Sequence, residues 1–451
     1  MDASSEPIIS VSGLRGVVGK SLTPEIALRY TAAFASTLGA GPIVITRDGR
    51  ATGRMLAAAV TAGLNSVGRQ VLFADVAATP TTGVLVQNSG AAGGVQISAS
   101  HNPPEYNGLK LFSALGRVIP ADAGERVIAR YRSGAPQWVE HAQVGEANVV
   151  ADPHAEHLAR VLATVDVDQI RARKFRVLLD ANHGAGSQLG ARLLAELGCE
   201  TTILGATPDG RFAHTPEPTA ENLSGVLAEV VRSRADIGFC QDPDADRLAL
   251  IDAGGRYLGE EYTLALCVDH VLRRSPGPIV TNCSTSRMTE DLAAKYGVPF
   301  YRSKVGEANV VDEMLARSAV LGGEGNGGAI DPRVVLVRDS FVGMALVLAA
   351  MAERGKSVAE LAGELPAYAI HKSKVTLPAE KVAAGLDALQ RHFTDAKSDR
   401  LDGLRLDWPG RWLLVRASNT EPIVRLVAEA PSEEIARELC QRAAGVLSPA
   451  V

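Results

Sequence analysis

One strand–helix–strand pattern is written three times into this 451-residue chain. A repeat of supersecondary size has to be placed before any motif, because it decides how many folding units share the residues. The first copy opens with the apolar strand Pro42–Thr46, passes a polar loop and a helical stretch ending near Gly68, and returns as strand Val71–Ala74. The second opens at Arg176–Asp180, has a helix ending at Leu197-Gly198, and returns near Thr201–Leu204. The third opens at Pro278–Thr281, has a helix ending at Tyr296-Gly297, and returns near Val298–Tyr301. Each helical stretch closes on glycine, which suits a left-handed C-cap. The spacing predicts βαβ units with parallel strands.

Each copy then runs into a further short apolar strand: Gly94–Ser98, Ile237–Cys240 and Ala319–Leu321. The polar loops after them are Ser100–Pro103, Asp242–Arg247 and Gly323–Gly328. Loops at the C-terminal ends of parallel strands are where α/β folds place their sites, so three such loops predict one shared cleft. After about Lys372 the pattern changes to a strand, a helix, strand Trp412–Arg416, a turn, strand Ile423–Ala430 and a helix capped by Ser432. This tail reads as a small α+β domain.

The loops carry chemistry-bearing residues. Ser100 sits in the tight turn Ser98-Ala-Ser-His-Asn-Pro103, either as a nucleophile or phosphoryl carrier or as part of a plain polar turn. No Gly-x-Ser-x-Gly elbow is present, which argues against a serine hydrolase. Lys110 on the following strand is a general acid/base, a phosphate partner or a solvated lysine. Asp242, Asp244 and Asp246 alternate, so three carboxylates can converge on one hard cation, and without one they would repel. An EF-hand is excluded because Arg247 and Ala253 stand where its Gly and Glu belong. Magnesium is favoured, since so few protein ligands leave room for phosphate oxygen and water. Arg247 then holds a phosphoryl group. Glu324 and Asn326 offer sugar hydroxyls an acid and an amide. Arg416, Ser418, Asn419 and Thr420, with Arg425 just beyond, give the donors a phosphate monoester needs. The Gly13–Ser21 run has Leu14 where a P-loop requires glycine, which argues against an NTPase.

Net charge is −5, so no global basic field draws the chain to nucleic acid, and anionic substrates must be met by local cations. Five cysteines without a CxxC pair read as reduced thiols of a cytoplasmic protein. No secretory signal is visible, and the longest apolar runs, such as Met344–Met351, are too short to span a bilayer.

Together the four motifs, in this order and over essentially the whole chain, resemble the α-D-phosphohexomutase superfamily. Ser12-Gly-Leu-Arg15-Gly16 looks like its opening motif, with Arg15 near the phosphoserine, and Arg47-Asp48-Gly-Arg50 matches another signature. The resemblance implies three similar α/β domains with mixed, mainly parallel sheets plus a small C-terminal α+β domain, around a central cleft. The expected boundaries are 1–150 with the phosphoserine loop, 151–254 with the metal loop, 255–370 with the sugar loop and 371–451 with the phosphate loop. It implies a phosphorylated Ser100, with His101, Arg15 and the acid/base Lys110 as its catalytic neighbours. It also implies one Mg²⁺ on Asp242, Asp244, Asp246 and Ser100, a hexose bisphosphate as activator, and a tail that closes over the cleft. The partner implied is a small sugar phosphate, with no nucleic acid or membrane, and the protein a monomer or homodimer. Many members carry Ser at position 326 and His at 328, where this chain has Asn326 and Gly328. That leaves the second acid/base group unassigned and the sugar open. Phosphoglucosamine mutase is favoured over phosphomannomutase or phosphoglucomutase. A metal-dependent sugar phosphatase and a non-catalytic sugar-phosphate sensor are the competing classes.

Overall fold

In each of the first three units a short apolar strand lies inside a sheet and is paired in parallel on both sides. Ile43–Arg47 pairs with Val71–Val76 and Gly93–Ile97. Arg176–Asp180 pairs with Glu200–Leu204 and Ile237–Gln241, and Ile279–Asn282 with Phe300–Ser303 and Leu321–Glu324. Strands covered on both faces read as continuous hydrophobic runs, and Ile43–Arg47 and Ile237–Gln241 are buried at every residue. This computed structural model describes residues 6–134, 136–418 and 422–447.

The repeat extends one strand further than its βαβ core. In every unit the outer parallel strand turns back into an antiparallel partner: Tyr106–Ser113, Leu248–Asp252 and Gly328–Ile330. All three sheets therefore share one strand order over these four strands. The first sheet adds Ile8–Ser10, Gly13–Val17 and Ala147–Val149, and the second adds Tyr257–Gly259. The helices Gly53–Ser66, Gly186–Glu196 and Met288–Lys295 are followed by Gly68, Gly198 and Gly297 at φ +80°, +69° and +65°, the left-handed caps expected.

The third unit differs from the sequence reading in where two of its strands start. Its strands begin two residues late, at Phe300 and Leu321, and Leu321–Glu324 takes in Gly322, Gly323 and Glu324, which the composition suggested were loop. The glycines are there for space: a Cβ on Gly322 would lie 2.3 Å from the Met314 sulfur.

Met344–Met351 lies within the helix Ser340–Arg354, whose residues Ser340–Ala352 are all buried. A helix apolar on every side belongs in an interior. Among the described residues no helix is long and apolar enough to cross a membrane. Asp339 caps this helix by accepting from the backbone N–H of Phe341 (2.8 Å) and Val342 (3.2 Å). Its other oxygen meets His157 Nε2 at 2.7 Å, and His157 Nδ1 meets Thr81 Oγ1 at 2.9 Å. Threonine, histidine and aspartate are buried, so this chain of bonds is a tie between the three units.

The tail is a five-stranded antiparallel sheet in the order Ala369–Thr376, Ile423–Ala430, Arg411–Ala417, Leu404–Trp408, Lys397–Asp399. It starts slightly before Lys372 and contains two strands the sequence pattern did not reveal. Helices Ala379–His392 and Glu433–Leu447 complete a core of its own. A narrow seam joins it to the third unit, where Cys283, Trp412 and Leu414 pack together and Arg405 stacks on Trp412 at 4.2 Å while donating to the Cys283 carbonyl at 2.5 Å.

Replacing Asp339 with alanine removes the cap of the central helix and orphans His157 Nε2. The expected cost is about 2–4 kcal/mol, read as a lower midpoint for the first transition in urea unfolding.

Candidate active site

The turn after strand Gly93–Ile97 puts Ser100 at φ +49°, a left-handed conformation uncommon outside glycine. Neighbouring groups hold it there. Ser98 Oγ accepts from the Ser100 N–H at 2.9 Å and donates to Asp48 Oδ2 at 2.7 Å. The Arg50 guanidinium donates to the carbonyls of Ser100 (2.7 Å), Asn102 (2.5 Å), Pro103 (2.6 Å) and Tyr106 (3.0 Å), and its Nε to Asp48 at 3.1 Å. Both partners of this Asp48–Arg50 pair are buried. Arg15 Nη1 donates to Asn102 Oδ1 at 2.8 Å, which places it against the same turn. His101 Nδ1 lies 3.3 Å from Ser100 Oγ. Burial, with Arg247 and Arg15 nearby, pushes its imidazole down to about 3, so it is neutral at neutral pH.

Ser100 Oγ donates to Asp242 Oδ2 at 2.8 Å, joining the first loop to the second. Asp242 Oδ1 accepts from the backbone N–H of Asp246 (3.2 Å) and Arg247 (3.1 Å), with Ala245 at φ +55° tightening the turn. Asp244 Oδ2 takes Thr79 Oγ1 (2.5 Å) and Lys110 Nζ (3.0 Å). Asp246 Oδ2 takes Lys110 Nζ (2.9 Å) and Arg338 Nη2 (2.7 Å). Burial and the charges of Asp244 and Asp246 push Asp242 well above the usual carboxylate range. Burial opposes charge on Asp244 too, but Lys110 and Thr79 outweigh it and hold Asp244 low. Lys110 is an ion-pair partner of Asp244 and Asp246 here, and they keep it charged against burial.

The third loop follows Glu324, whose carboxylate is already engaged. Oε1 accepts from Asn282 Nδ2 (2.7 Å) and the Gly306 N–H (3.0 Å), and Oε2 faces Arg338 Nη1 at 2.9 Å. Asn326 Oδ1 is buried without a partner. A cleft of about 700 Å³ is lined by His101, Arg247, Glu324, Asn326, Arg416 and Arg425. Glu217, Glu261, Lys372 and Lys374 also face it. In the tail sheet Lys374 stands opposite Arg425, and Arg425 opposite Arg416. Like charges directly opposite on neighbouring strands repel, so this row of cations fits an anion. Arg416 Nε also lies 3.2 Å from Asp402 Oδ2, and the Ser418 N–H donates to the Ile423 carbonyl at 2.9 Å. Asn419 and Thr420 fall outside the described residues.

Sequence reasoning missed Arg338, Thr79, Lys372 and Lys374. The lysines alternate on strand Ala369–Thr376, a signal for one shared face. Arg338 and Thr79 belong to no local pattern and meet the metal loop only through the fold.

Four sequence families cover the chain in series. They are phosphoglucomutase/phosphomannomutase α/β/α domains I, II and III, over residues 8–137, 152–255 and 260–368, and the C-terminal domain over 372–446. A Thermococcus kodakarensis protein named phosphoglucomutase/phosphomannomutase is 37% identical over 450 residues, covering 97% of this chain and 98% of its own. The chain belongs to the α-D-phosphohexomutase superfamily. A Methanopyrus kandleri relative named probable phosphoglucosamine mutase is 35% identical over 435 residues, covering 95% of each chain. The crystal structure of a phosphoglucomutase/phosphomannomutase family protein from Burkholderia thailandensis superposes with a TM-score of 0.86 at 27% identity, covering 98% of each chain. As a phosphohexomutase the protein is an isomerase, an intramolecular phosphotransferase.

The donor set of this phosphohexomutase fits a hard divalent cation. One oxygen each from Asp242, Asp244 and Asp246 lies within 4.8 Å of the others. Asp244 Oδ1 and Asp246 Oδ1 are buried and accept no hydrogen bond, Asp246 Oδ1 lying 3.9 Å from Arg247 Nε, while the opposite oxygens are pinned by Thr79, Lys110 and Arg338. Asp242 is already pushed toward its neutral form, so replacing it with Asn changes the metal-free protein little but removes a ligand. The variant Asp242→Asn is therefore expected to melt close to the wild type in chelator. It also loses most of the wild type's rise in melting temperature on adding Mg²⁺, as differential scanning calorimetry will show.

Proposed function

We propose that the protein interconverts hexose 6-phosphate and hexose 1-phosphate through a phosphorylated Ser100 and a hexose bisphosphate intermediate. Glucosamine 6-phosphate and glucosamine 1-phosphate are the favoured pair, a preference supported by relatives named probable phosphoglucosamine mutase. Phosphomannomutase or phosphoglucomutase activity is the alternative, in keeping with the Thermococcus relative named for both. The observation that carries the reading is the 2.8 Å bond from Ser100 Oγ to a buried aspartate of the triad, beside a cleft that also holds the Lys374–Arg425–Arg416 row.

In the forward half-reaction the bond from phosphorus to Ser100 Oγ breaks as a bond forms to the free sugar hydroxyl oxygen. Charged Lys110, the acid/base group we assign, gives a proton to the departing serine oxygen and recovers one from the sugar hydroxyl, so the step is proton-neutral. The bisphosphate turns over in the cleft, and its other phosphoryl group returns to Ser100 Oγ. Mg²⁺, held by the three aspartates and Ser100, supplies positive charge beside the moving phosphoryl group. Arg416, Arg425 and Ser418, with Asn419 and Thr420, hold the phosphate that is not reacting. Glu324 and Asn326 meet sugar hydroxyls, the unpartnered Asn326 Oδ1 as an acceptor. Arg247 steadies the phosphoryl group, Arg15 the serine turn, and neutral His101 is a hydrogen-bond partner of the serine oxygen. Units 1–150, 151–254, 255–370 and 371–451 contribute the four loops, and closure of the tail excludes water that would hydrolyse the phosphoserine. Trace hexose bisphosphate primes the unphosphorylated enzyme. We assign a monomer or homodimer in the cytoplasm, where free and mostly buried thiols are at home.

Phosphorus NMR with Mg²⁺ and a trace of bisphosphate tests this. Glucosamine 6-phosphate is expected to give the 1-phosphate faster than the glucose and mannose esters react. Ser100→Ala is expected to lose at least about a thousandfold in turnover. Release of inorganic phosphate alone would replace the reading with a phosphatase.

A further inference from the structure

Arg338 touches the metal loop and the sugar loop at once. It lies between strand Gly328–Ile330 and helix Ser340–Arg354, with 9% of its surface exposed. Nη2 donates to Asp246 Oδ2 at 2.7 Å and Nε to Glu307 Oε2 at 2.7 Å, while Nη1 faces Glu324 Oε2 at 2.9 Å. Three carboxylates from two units thus share one planar guanidinium, whose fork points in three fixed directions. Glu307 follows Gly306, whose N–H is held by Glu324, so the far side of the cluster is braced as well.

Gly328 makes room for this arrangement. An added Cβ there would sit 2.4, 2.6 and 2.8 Å from Arg338 Cδ, Cγ and Cβ. Gly328 is not in the left-handed region, so the space is what the glycine supplies. The guanidinium pins Asp246 Oδ2, leaving Oδ1 buried with no hydrogen bond and only Arg247 at 3.9 Å, and fixes Glu324 at the cleft wall. Because the three carboxylates meet at this one group, a ligand that draws on Asp246 or Glu324 shifts the guanidinium and, through it, the other carboxylate. The second ligand then finds its own loop already set.

We propose that Arg338 is a positioning residue that couples the metal loop to the sugar loop, so that binding of Mg²⁺ and binding of hexose phosphate favour each other. This rests on the mutase reading of the cleft. Arg338→Lys keeps the charge but cannot span three carboxylates, and Gly328→Ala leaves Arg338 in the sequence while displacing its stem.

Calorimetric titration of the unphosphorylated protein with Mg²⁺ alone, and with glucosamine 6-phosphate and glucose 6-phosphate in the presence and absence of Mg²⁺, reads the coupling directly. The wild type is expected to bind a hexose phosphate about fivefold or more tightly with Mg²⁺ present, within the usual range of coupling between sites. Both variants are expected to bind Mg²⁺ about 10–100-fold more weakly, as loss of a group that orients a ligand does. Their ratio of sugar affinities with and without Mg²⁺ falls close to one at saturating Mg²⁺. Thermal melting checks that each remains folded. A variant that melts lower yet keeps the wild-type ratio overturns the proposal, since Arg338 is then only a structural support. A wild-type ratio of one overturns it while the mutase reading stands. A wild type that binds neither hexose phosphate overturns that reading and the coupling with it.

Discussion

Everything around the cleft answers one electrostatic problem: three aspartates are buried side by side on one turn. Asp242, Asp244 and Asp246 are each fully buried, in surroundings where an unpaired charge is expensive. Arg247 on the same loop lies 3.9 Å from Asp246, and the rest of their compensation comes from elsewhere in the chain. Lys110 arrives from the first unit and Arg338 from the third, while Thr79 and Ser100 add hydroxyls from the first. The second unit alone could not keep its own metal loop buried, so that loop is also a joint between three units.

The repeat explains how this joint is reached. Ser100, the aspartate triad and Asn326 occupy the same connection in three copies of one sheet, between the outer parallel strand and its antiparallel return. One geometry delivers a hydroxyl, a carboxylate triad and an amide oxygen without a hydrogen bond to a common space. The anion row differs in origin. It needs cations aligned across neighbouring strands, which an antiparallel sheet with direct cross-strand pairs supplies through Lys374, Arg425 and Arg416. The tail that carries them has its own core and meets the third unit through Cys283, Trp412 and Leu414 and through polar bonds such as the Val305 N–H to Asp402 and the Arg287 N–H to Glu429.

Local patterns explain what was legible beforehand. Apolar strands, glycine caps and alternating aspartates are written in consecutive residues, so the strand Arg176–Asp180 and the metal loop could be read directly. The serine turn was readable as a turn, but not the reason it holds: Arg50 lies some fifty residues away and binds carbonyls, which any residue supplies. Gly322 and Gly328 looked like flexible loop because glycine used for clearance and glycine used for turning look alike in sequence. Arg338 follows an unremarkable apolar stretch, and only the fold brings Asp246, Glu307 and Glu324 to it. Strand Leu404–Trp408 carries Leu404, Leu406 and Trp408 on one face and Arg405 and Asp407 on the other, an alternation the sequence reading passed over, and the mutual bond of that polar pair lets Arg405 be buried.

The charge inventory also orders events at the centre. Without a cation the triad has Lys110, Arg338 and Arg247 beside it, but Arg338 is shared with Glu307 and Glu324, so carboxylates outnumber cations in the cluster. A phosphoryl group on Ser100 would add further negative charge where Ser100 Oγ already touches Asp242. Repulsion at that distance in a buried setting is severe. A divalent cation turns the same surroundings from repelling to attracting. On the mechanism proposed above, occupation of Asp244 Oδ1 and Asp246 Oδ1 would be a condition for keeping a phosphorylated Ser100 in place as well as for transferring its phosphoryl group. The side chains that aim those two oxygens, Lys110 and Arg338 above all, act on the enzyme's resting state before any sugar has bound.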